Sequence, residues 1–335
     1  MQKTKFHSYT NGKLPRGCEL CVKGRKTVIF VTGVCTKSCY FCPLSEQKFH
    51  KDVIYANEMP IKDIKDIVKE AKLCSSTGAG LTGGDPLTKL DRTIKIIKLL
   101  KKEFGDHFHI HLYTPLDLVE EKTIKQLEKA GLDEIRFHPD LDDDKLWDRI
   151  NIKTTMSKGI EIPCIPGKDI DKLIKSIEVD FINLNELEYA DAKHNKLAEL
   201  GFETKNEYSY GIKGSEELAL ALLEAFPDKQ IHYCTTKLKD SVQMMNRIKF
   251  RAKNVKQSYD IVTGQGTLIR GAIYGDVRDL KLPFQTEYDP VKERLLCSRL
   301  NIKKHAKDLR KKGLTPVLVE ELATYDEFEI ESEEL

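Results

Sequence analysis

Long apolar runs are missing from this chain of 335 residues, and no stretch of eighteen apolar residues offers a membrane-spanning helix. No charged-then-apolar leader stands at Met1 to Ser8, so a secretory signal is not indicated. A charge excess of either sign is also lacking: the formal net charge is +2, which names neither a nucleic acid nor a membrane as partner. Nine cysteines would suggest disulfides in an oxidising compartment, but here they fall in tight clusters, which argues for reduced, metal-binding thiols and a cytoplasmic location. With 40% hydrophobic and 32% charged residues, the chain is long enough for one large α/β domain with an appendage.

Cysteine spacing is what the chain does offer. Cys35, Cys39 and Cys42 follow the apolar run Thr27 to Gly33 in a C-x3-C-x2-C pattern, with Tyr40 and Phe41 ahead of the last sulfur. Thiolates are the preferred ligands of iron–sulfur clusters, and three of them on a four-iron cluster leave one iron open to a small molecule. The spacing also admits a zinc site completed from elsewhere, or three buried thiols without a common role.

VCTKSCYFCPL, Val34 to Leu44, resembles the cluster loop of the radical SAM superfamily, whose members hold a 4Fe–4S cluster on C-x3-C-x2-C with an aromatic before the third cysteine. TGGDPL, Thr82 to Leu87, is similar to the superfamily's Gly-Gly-Glu-Pro segment at the end of the second barrel strand, which binds the amino group of S-adenosylmethionine (SAM). Asp85 stands in place of the usual glutamate, keeping the carboxylate on a shorter side chain; the resemblance implies that backbone carbonyls do much of the binding. LPRGCELC, IEIPCIPG and HYCTTKLKDSVQ extend the likeness, from about Leu14 to the C-terminal segment, to a mainly archaeal group of radical SAM proteins related to the pyruvate formate-lyase activating enzyme.

Apolar strand-like runs alternate with helical stretches, as repeated βα units around a parallel sheet require. The runs are Thr27–Gly33, Gly78–Gly84, His107–Thr114, Leu132–Pro139, Gly159–Gly167 and Asp180–Glu188, with helices expected at Ile61–Cys74, Leu87–Phe104, Leu118–Ala130 and from Asp142. Six βα units predict an α/β fold of the radical SAM type, a (βα)6 partial barrel, with Gln230 to Cys234 as a candidate seventh strand. The expected division is 1–26 as an N-terminal segment carrying CxxC, 27–257 as the barrel and 258–335 as a small α+β appendage. The appendage reads as a hairpin around Gly264–Gly266, a helix from Pro290 to Lys312 ended by Gly313, and a strand from Thr315 to Leu322.

Sites in βα barrels lie at the carboxyl ends of the strands, where side chains converge. Gly83, Gly84, Asp85, Pro86, Thr114, Arg136, His138, Cys164, Asn183, Asn185 and Glu186 fall there. By the family resemblance, the third and fourth strand ends would touch SAM's carboxylate and ribose and the next two its adenine. Arg136 is the preferred carboxylate partner, since a guanidinium pairs bidentately with a carboxylate. Phe41 belongs to the same cofactor-binding set, and no residue is assigned as a catalytic acid or base. Cys18 and Cys21 form a C-x2-C pair before the first strand, and Cys234 ends the seventh; together they are a candidate second site for an iron–sulfur cluster or zinc, with Cys164 or Cys297 as a fourth ligand or the fourth position left open, the alternative being a surface dithiol without a metal. Cys74 reads as a small core residue.

The chemistry implied by the resemblance is reductive cleavage of SAM to a 5′-deoxyadenosyl radical that takes a hydrogen atom from a substrate, with an external electron donor such as ferredoxin or flavodoxin. No segment reads as a corrinoid domain. Three classes compete. A small-metabolite enzyme would use a polar pocket at Asn183, Asn185 and Glu186. A macromolecule-modifying enzyme, acting on an RNA nucleoside or a protein side chain and including glycyl-radical activation, would dock through the appendage. A non-catalytic metal-binding scaffold would need no SAM, and Gly83–Pro86 argues against it. Residues 241–312 carry 17 Lys and Arg against 7 Asp and Glu, and this basic stretch, including Arg247 to Lys256, is a candidate phosphate surface or a solvated face neutralised by an acidic tail.

Overall fold

Between Lys26 and Cys234 the strands alternate with period two, and the alternation separates two environments. Ile110, Leu112, Ile135, Phe137, Ile160, Ile162, Ile182 and Leu184 turn outward and are fully buried in one large apolar core beneath the helices. The residues between them, including His111, Glu134, Arg136 and Asn183, turn inward and are buried as well. The computed structural model describes residues 1–278 and 280–335.

The chain divides into two units, Met1–Lys72 with Ser76–Met244, and Leu73–Ser75 with Met245–Leu335. In the first, an antiparallel strand β1 (Tyr9–Asn11), flanked by the short strand Gln2–Lys3, and helix α1 (Arg16–Val22) precede seven parallel strands: β2 (Lys26–Phe30), β3 (Gly78–Thr82), β4 (His109–Thr114), β5 (Glu134–Phe137), β6 (Ser157–Cys164), β7 (Phe181–Glu186) and β8 (Ile231–Cys234). Each pairs in parallel with the next, from β2 to β8. The crossovers are α2 (Lys65–Leu73), α3 (Leu90–Phe104), α4 (Glu121–Ala130), a 3₁₀ stretch Asp144–Asn151, α5 (Ile170–Ser176) and α6 (Ser215–Ala225). Antiparallel strands cover both edges, β1 on β8 and Tyr55–Ala56 on β2, so the sheet is a partial barrel with the anticipated seventh strand. The N-terminal segment is part of this unit rather than a separate one: Gly17 of α1 approaches the barrel interior so closely that a Cβ there would lie 2.6 Å from the Arg136 guanidinium.

The second unit is antiparallel. Helix α7 (Met245–Val255) is followed by β9 (Ile261–Val262), β10 (Thr267–Tyr274), β11 (Glu287–Asp289), β12 (Arg294–Cys297), α8 (Arg299–Lys311), β13 (Thr315–Leu322) and β14 (Glu329–Glu334), with sheet order β11-β12-β10-β13-β14 and β9 on β10. Its boundary lies ahead of residue 258, because Ile248 and Ala252 of α7 pack on Leu268 and Ala323 of this unit. The helix expected from Pro290 begins only at Arg299. Asp289 accepts hydrogen bonds from the N–H groups of Val291 and Lys292, and the resulting turn starts a hairpin whose second strand, β12, is wholly buried. Ser298 then caps α8, accepting from the Asn301 N–H at 3.2 Å. Strand β14 has six exposed residues and no apolar alternation to mark it as a strand in the sequence.

Four arginines of the basic stretch are engaged within the unit, while most of its lysines are exposed. Arg247 and Arg251 are buried, Arg251 donating to the Ala323 carbonyl at 2.9 Å. Arg270 pairs with Asp260 and Arg294 with Asp289 and Glu321. These four cations therefore hold the unit together instead of facing phosphates.

The helix start is testable. Ser298→Ala should cost about 1 kcal/mol, the typical worth of an N-cap side chain, whereas Pro290→Ala should cost much less. Urea unfolding of the two variants measures both, and the reverse ranking would restore the longer helix.

Candidate active site

The loop after β2 is stitched to the end of β3 by backbone pairing that continues past both strands. Gly84 N–H donates to the Thr32 carbonyl and Asp85 N–H to that of Val34, each at 2.8 Å. The approach demands glycine. A Cβ at Gly83, whose φ is +156°, would lie 2.2 Å from the Thr32 oxygen, and one at Gly84 2.5 Å from the Val34 oxygen. Gly33 is tighter still, with the Lys48 carbonyl 1.7 Å from a Cβ position.

This contact brings Cys35, Cys39 and Cys42 onto the wall of a cavity of about 540 Å³, facing Gly83 and Gly84. All three thiols are half-buried and unbridged. Burial raises all three pKa values, and the neighbouring sulfurs add to the rise at Cys39, pushed up to about 12. Metal loading would therefore release protons. Three thiols on one loop, with no carboxylate among them, fit an iron–sulfur cluster, for which sulfur is the preferred donor. Tyr40 and Phe41 pack edge to face, 5.1 Å between centroids, against Ile165, Leu187, Leu197 and Ile212. Residues beyond β7 close over the loop: Lys196 N–H donates to the Tyr40 carbonyl at 2.7 Å, and His194 stacks on Phe49.

Of the other sequence-derived residues, Phe41, Thr114, His138 and Asn185 also line the cavity. His138 donates through Nδ1 to the Glu161 carbonyl at 2.7 Å, so its neutral ring offers Nε2 as an acceptor. Asp85 lies behind the wall. Its Oδ1 accepts from Leu87 N–H at 2.9 Å and from the Thr114 hydroxyl at 2.8 Å, capping the 3₁₀ turn that Pro86 begins. Burial pushes its carboxyl up to about 6.

Arg136, offered on sequence grounds to a ligand carboxylate, instead serves the chain's own acids in the floor. It donates to Glu134 and Glu161, each at 2.6 Å, and to the Cys18 sulfur at 3.3 Å. Glu134 and Glu161 stay ionised although burial opposes it, because the guanidinium lies beside them. Asn183 lies in the same floor, its Oδ1 2.6 Å from His232 Nδ1 and 3.4 Å from the Cys18 thiol. Glu186 turns away and accepts from Thr236 N–H at 2.8 Å.

Cys18 is buried on the inner face of α1, and burial pushes its thiol up to about 11. Cys18, Cys21 and Cys234 lie near enough to feel one another's charge, with Cys234 packed against Val22 and Leu238. Among the described residues no three His, Cys, Asp or Glu side chains are placed to hold a single metal ion. Cys164 is enclosed in the apolar core, and Cys297 lies inside the sheet of the second unit.

Sequence reasoning missed Lys26, Tyr113, Glu161, Glu188 and Lys239, all of which line the cavity. For Lys26, Tyr113 and Glu161 the available signal was polarity within strands that a buried parallel sheet otherwise fills with apolar residues; Glu188 and Lys239 lie beyond the strands and carried no such mark.

Fold and site define an enzyme of the SAM-dependent radical class, and the comparisons agree. The profile of the Radical SAM superfamily matches residues 29–162. A Methanocaldococcus jannaschii protein named "Putative glycyl-radical enzyme activating enzyme" is 46% identical over 283 residues, covering 80% of this chain and 75% of its own. The biotin synthase of Nautilia profundicola is 27% identical over 197 residues, 49% of this chain and 68% of its own. The crystal structure of methylornithine synthase aligns with 65% of this chain and 72% of its own at 17% identity and a TM-score of 0.40, too low to carry an argument. This chain belongs to the radical SAM superfamily. No helix among the described residues is long and apolar enough to cross a membrane.

Asp85 gives a pH signature. Its folded pKa is raised, so the stability it contributes is complete below its unfolded pKa near 4 and is lost as pH rises through about 6. Asp85→Asn, which keeps the acceptor oxygen without the charge, should flatten that slope; urea unfolding between pH 4 and pH 7 measures it. An unaltered slope would place the titrating group elsewhere.

Proposed function

We propose that Cys35, Cys39 and Cys42 hold a 4Fe–4S cluster, that SAM lies between it and Gly83–Gly84, and that a substrate in the same cavity gives up a hydrogen atom. The observation that carries this is the shared wall: three thiols and the glycine pair face one cavity, with no room for a side chain at either glycine. When bound, the reduced cluster supplies the electron that cleaves the sulfonium of SAM to methionine and the 5′-deoxyadenosyl radical.

The chain's own residues then bind and shield. Gly83 and Gly84 bring bare backbone to the methionyl end of SAM, and Asp85 holds them in place through Leu87 and Thr114. His138 Nε2 accepts from a hydroxyl or amine of the bound nucleoside. Phe41, braced by its apolar neighbours, would keep water from a cluster held by the three thiols. Lys37, half-buried between Asp117 and Asp140, fixes the loop between the first two thiols. An external one-electron donor of the ferredoxin or flavodoxin kind completes the system.

A second reading follows from the name of the 46% identical relative: the substrate is a protein, and the hydrogen comes from a glycine. The candidate site at Cys18, Cys21 and Cys234 is a further part of the proposal, as a second iron–sulfur cluster or a zinc ion.

Anaerobically reconstituted protein, given a strong reductant and SAM, should release methionine and 5′-deoxyadenosine slowly without any substrate, and Cys39→Ala should abolish both. A variant with all three loop cysteines changed to alanine that still cleaved SAM would sink the reading. Because Asp85 caps from behind the wall, Asp85→Asn should change the SAM dissociation constant by less than a charged hydrogen bond's worth, about 1.5 kcal/mol; a larger loss would put the carboxylate on the ligand. Iron and zinc content, compared between the parent and Cys18→Ala/Cys21→Ala, decides the second site, since equal contents would leave those thiols without a metal.

A further inference from the structure

The inner end of the cavity carries charges that neither the cluster loop nor the glycine pair accounts for. Lys26 opens β2 and lines the cavity with Val28, opposite Gly78 and Gly80 on β3, two positions without side chains. Each carboxylate nearby has a cation in contact, but Glu161 and, below it, Glu134 share the one Arg136 guanidinium, while Glu188 holds Lys239 at 3.0 Å. Lys26 differs. Among the described residues its ammonium makes one polar contact, at 3.4 Å with the Tyr113 hydroxyl, and Cys21 and, more weakly, Glu161 act on it only at longer range. That hydroxyl is in turn 3.0 Å from His111 Nε2 and is held at the cavity wall.

A half-buried ammonium with no counter-ion in contact keeps donors free for an anion that enters the cavity. We propose that the Lys26 end of the cavity is a substrate subsite for the compact anionic group, a carboxylate or a phosphate, of a small molecule, with the Tyr113 hydroxyl as second contact. This rests on the radical SAM reading of the cavity's other end and adds to it the class of molecule that enters. A neutral glycine-bearing peptide segment would leave the ammonium without its counter-ion, so the charge arrangement favours a small anionic substrate over a protein one.

The test uses the anaerobically reconstituted full chain, saturated with SAM and titrated separately with inorganic phosphate and with acetate. Binding is read by calorimetry and by protection of Lys26 from amine-specific labelling in peptide mass spectra. One of the two anions should protect Lys26, and the better of them identifies the group. Its affinity should fall about tenfold or more in Lys26→Gln, as loss of a charged hydrogen bond requires, and recover in Lys26→Arg. Labelling of the parent needs no variant, so a fold defect in Lys26→Gln does not blunt the test. Three results overturn the proposal: neither anion protects Lys26; Lys26→Gln binds the anion as well as the parent; or Lys26→Gln loses SAM affinity by the same factor, which would make SAM's own carboxylate the anion. Protection by an uncharged glycine-containing peptide, with neither anion competing, would also overturn it in favour of a protein substrate. Failure of the underlying reading appears separately, as parent protein that does not cleave SAM.

Discussion

Arg136 lies in the floor of the parallel sheet between Glu134 and Glu161, with the rings of Tyr113 and Phe181 about its guanidinium at 5.4 and 5.2 Å. One side chain thereby ties β5 to β6. Glu161 extends the tie to β7 by accepting from Asn185 at 3.1 Å, and Glu134 extends it to α1 by accepting from Gly17 N–H at 3.2 Å. A buried ion network of this kind adds little over an apolar core, but loss of one partner strands the others and costs several kcal/mol. Its consequence here is a polar interior: the barrel is not filled by branched apolar side chains, and a charged cavity remains above the floor.

The opposite end of that cavity is shaped by missing side chains. Gly33, Gly83 and Gly84 let the cysteine loop and the end of β3 approach to backbone contact, so thiols and bare peptide groups face the same space. Helix α1 repeats the device below, where Gly17 admits the helix against Arg136 and His111. Glycines at both ends and charges between them set the cavity's position and its chemistry. The residues beyond β7 finish the enclosure, with His194 stacked on Phe49 at 3.7 Å between centroids.

The second unit follows the same physical rule in a different fold. Arg270 and Arg294 are almost wholly buried, and Asp260, Asp289, Glu321 and Glu327 surround them. These two arginines, which look like surface residues in the sequence, are half of an internal network: Asp260 and Asp289 are near them along the chain, but Glu321 and Glu327 are distant, and antiparallel pairing of β10, β12 and β13 brings them in.

Local signals carried the parts that local chemistry controls. The cysteine spacing, the aromatic pair before the last thiol, the Gly-Gly-Asp-Pro turn and the alternation of strand and helix are each properties of short segments, and from them the seven parallel strands and the cavity residues Cys35, Cys39, Cys42, Phe41, Gly83, Gly84, Thr114 and His138 could be read. Helix boundaries near Pro290 were misread because proline marks a turn as readily as a helix start, and Asp289 decides between them through a hydrogen bond. The role of Asp85 and of Arg136 was decided by tertiary structure alone: which polar atoms face a cavity and which face one another depends on strand register and on the depth to which α1 enters the barrel. Lys26, Tyr113 and Glu161 belong to three strands and meet only once β2, β4 and β6 stand around one interior. A sequence fixes the type and order of its charges, but the pairing of a buried charge is a question of distance in space.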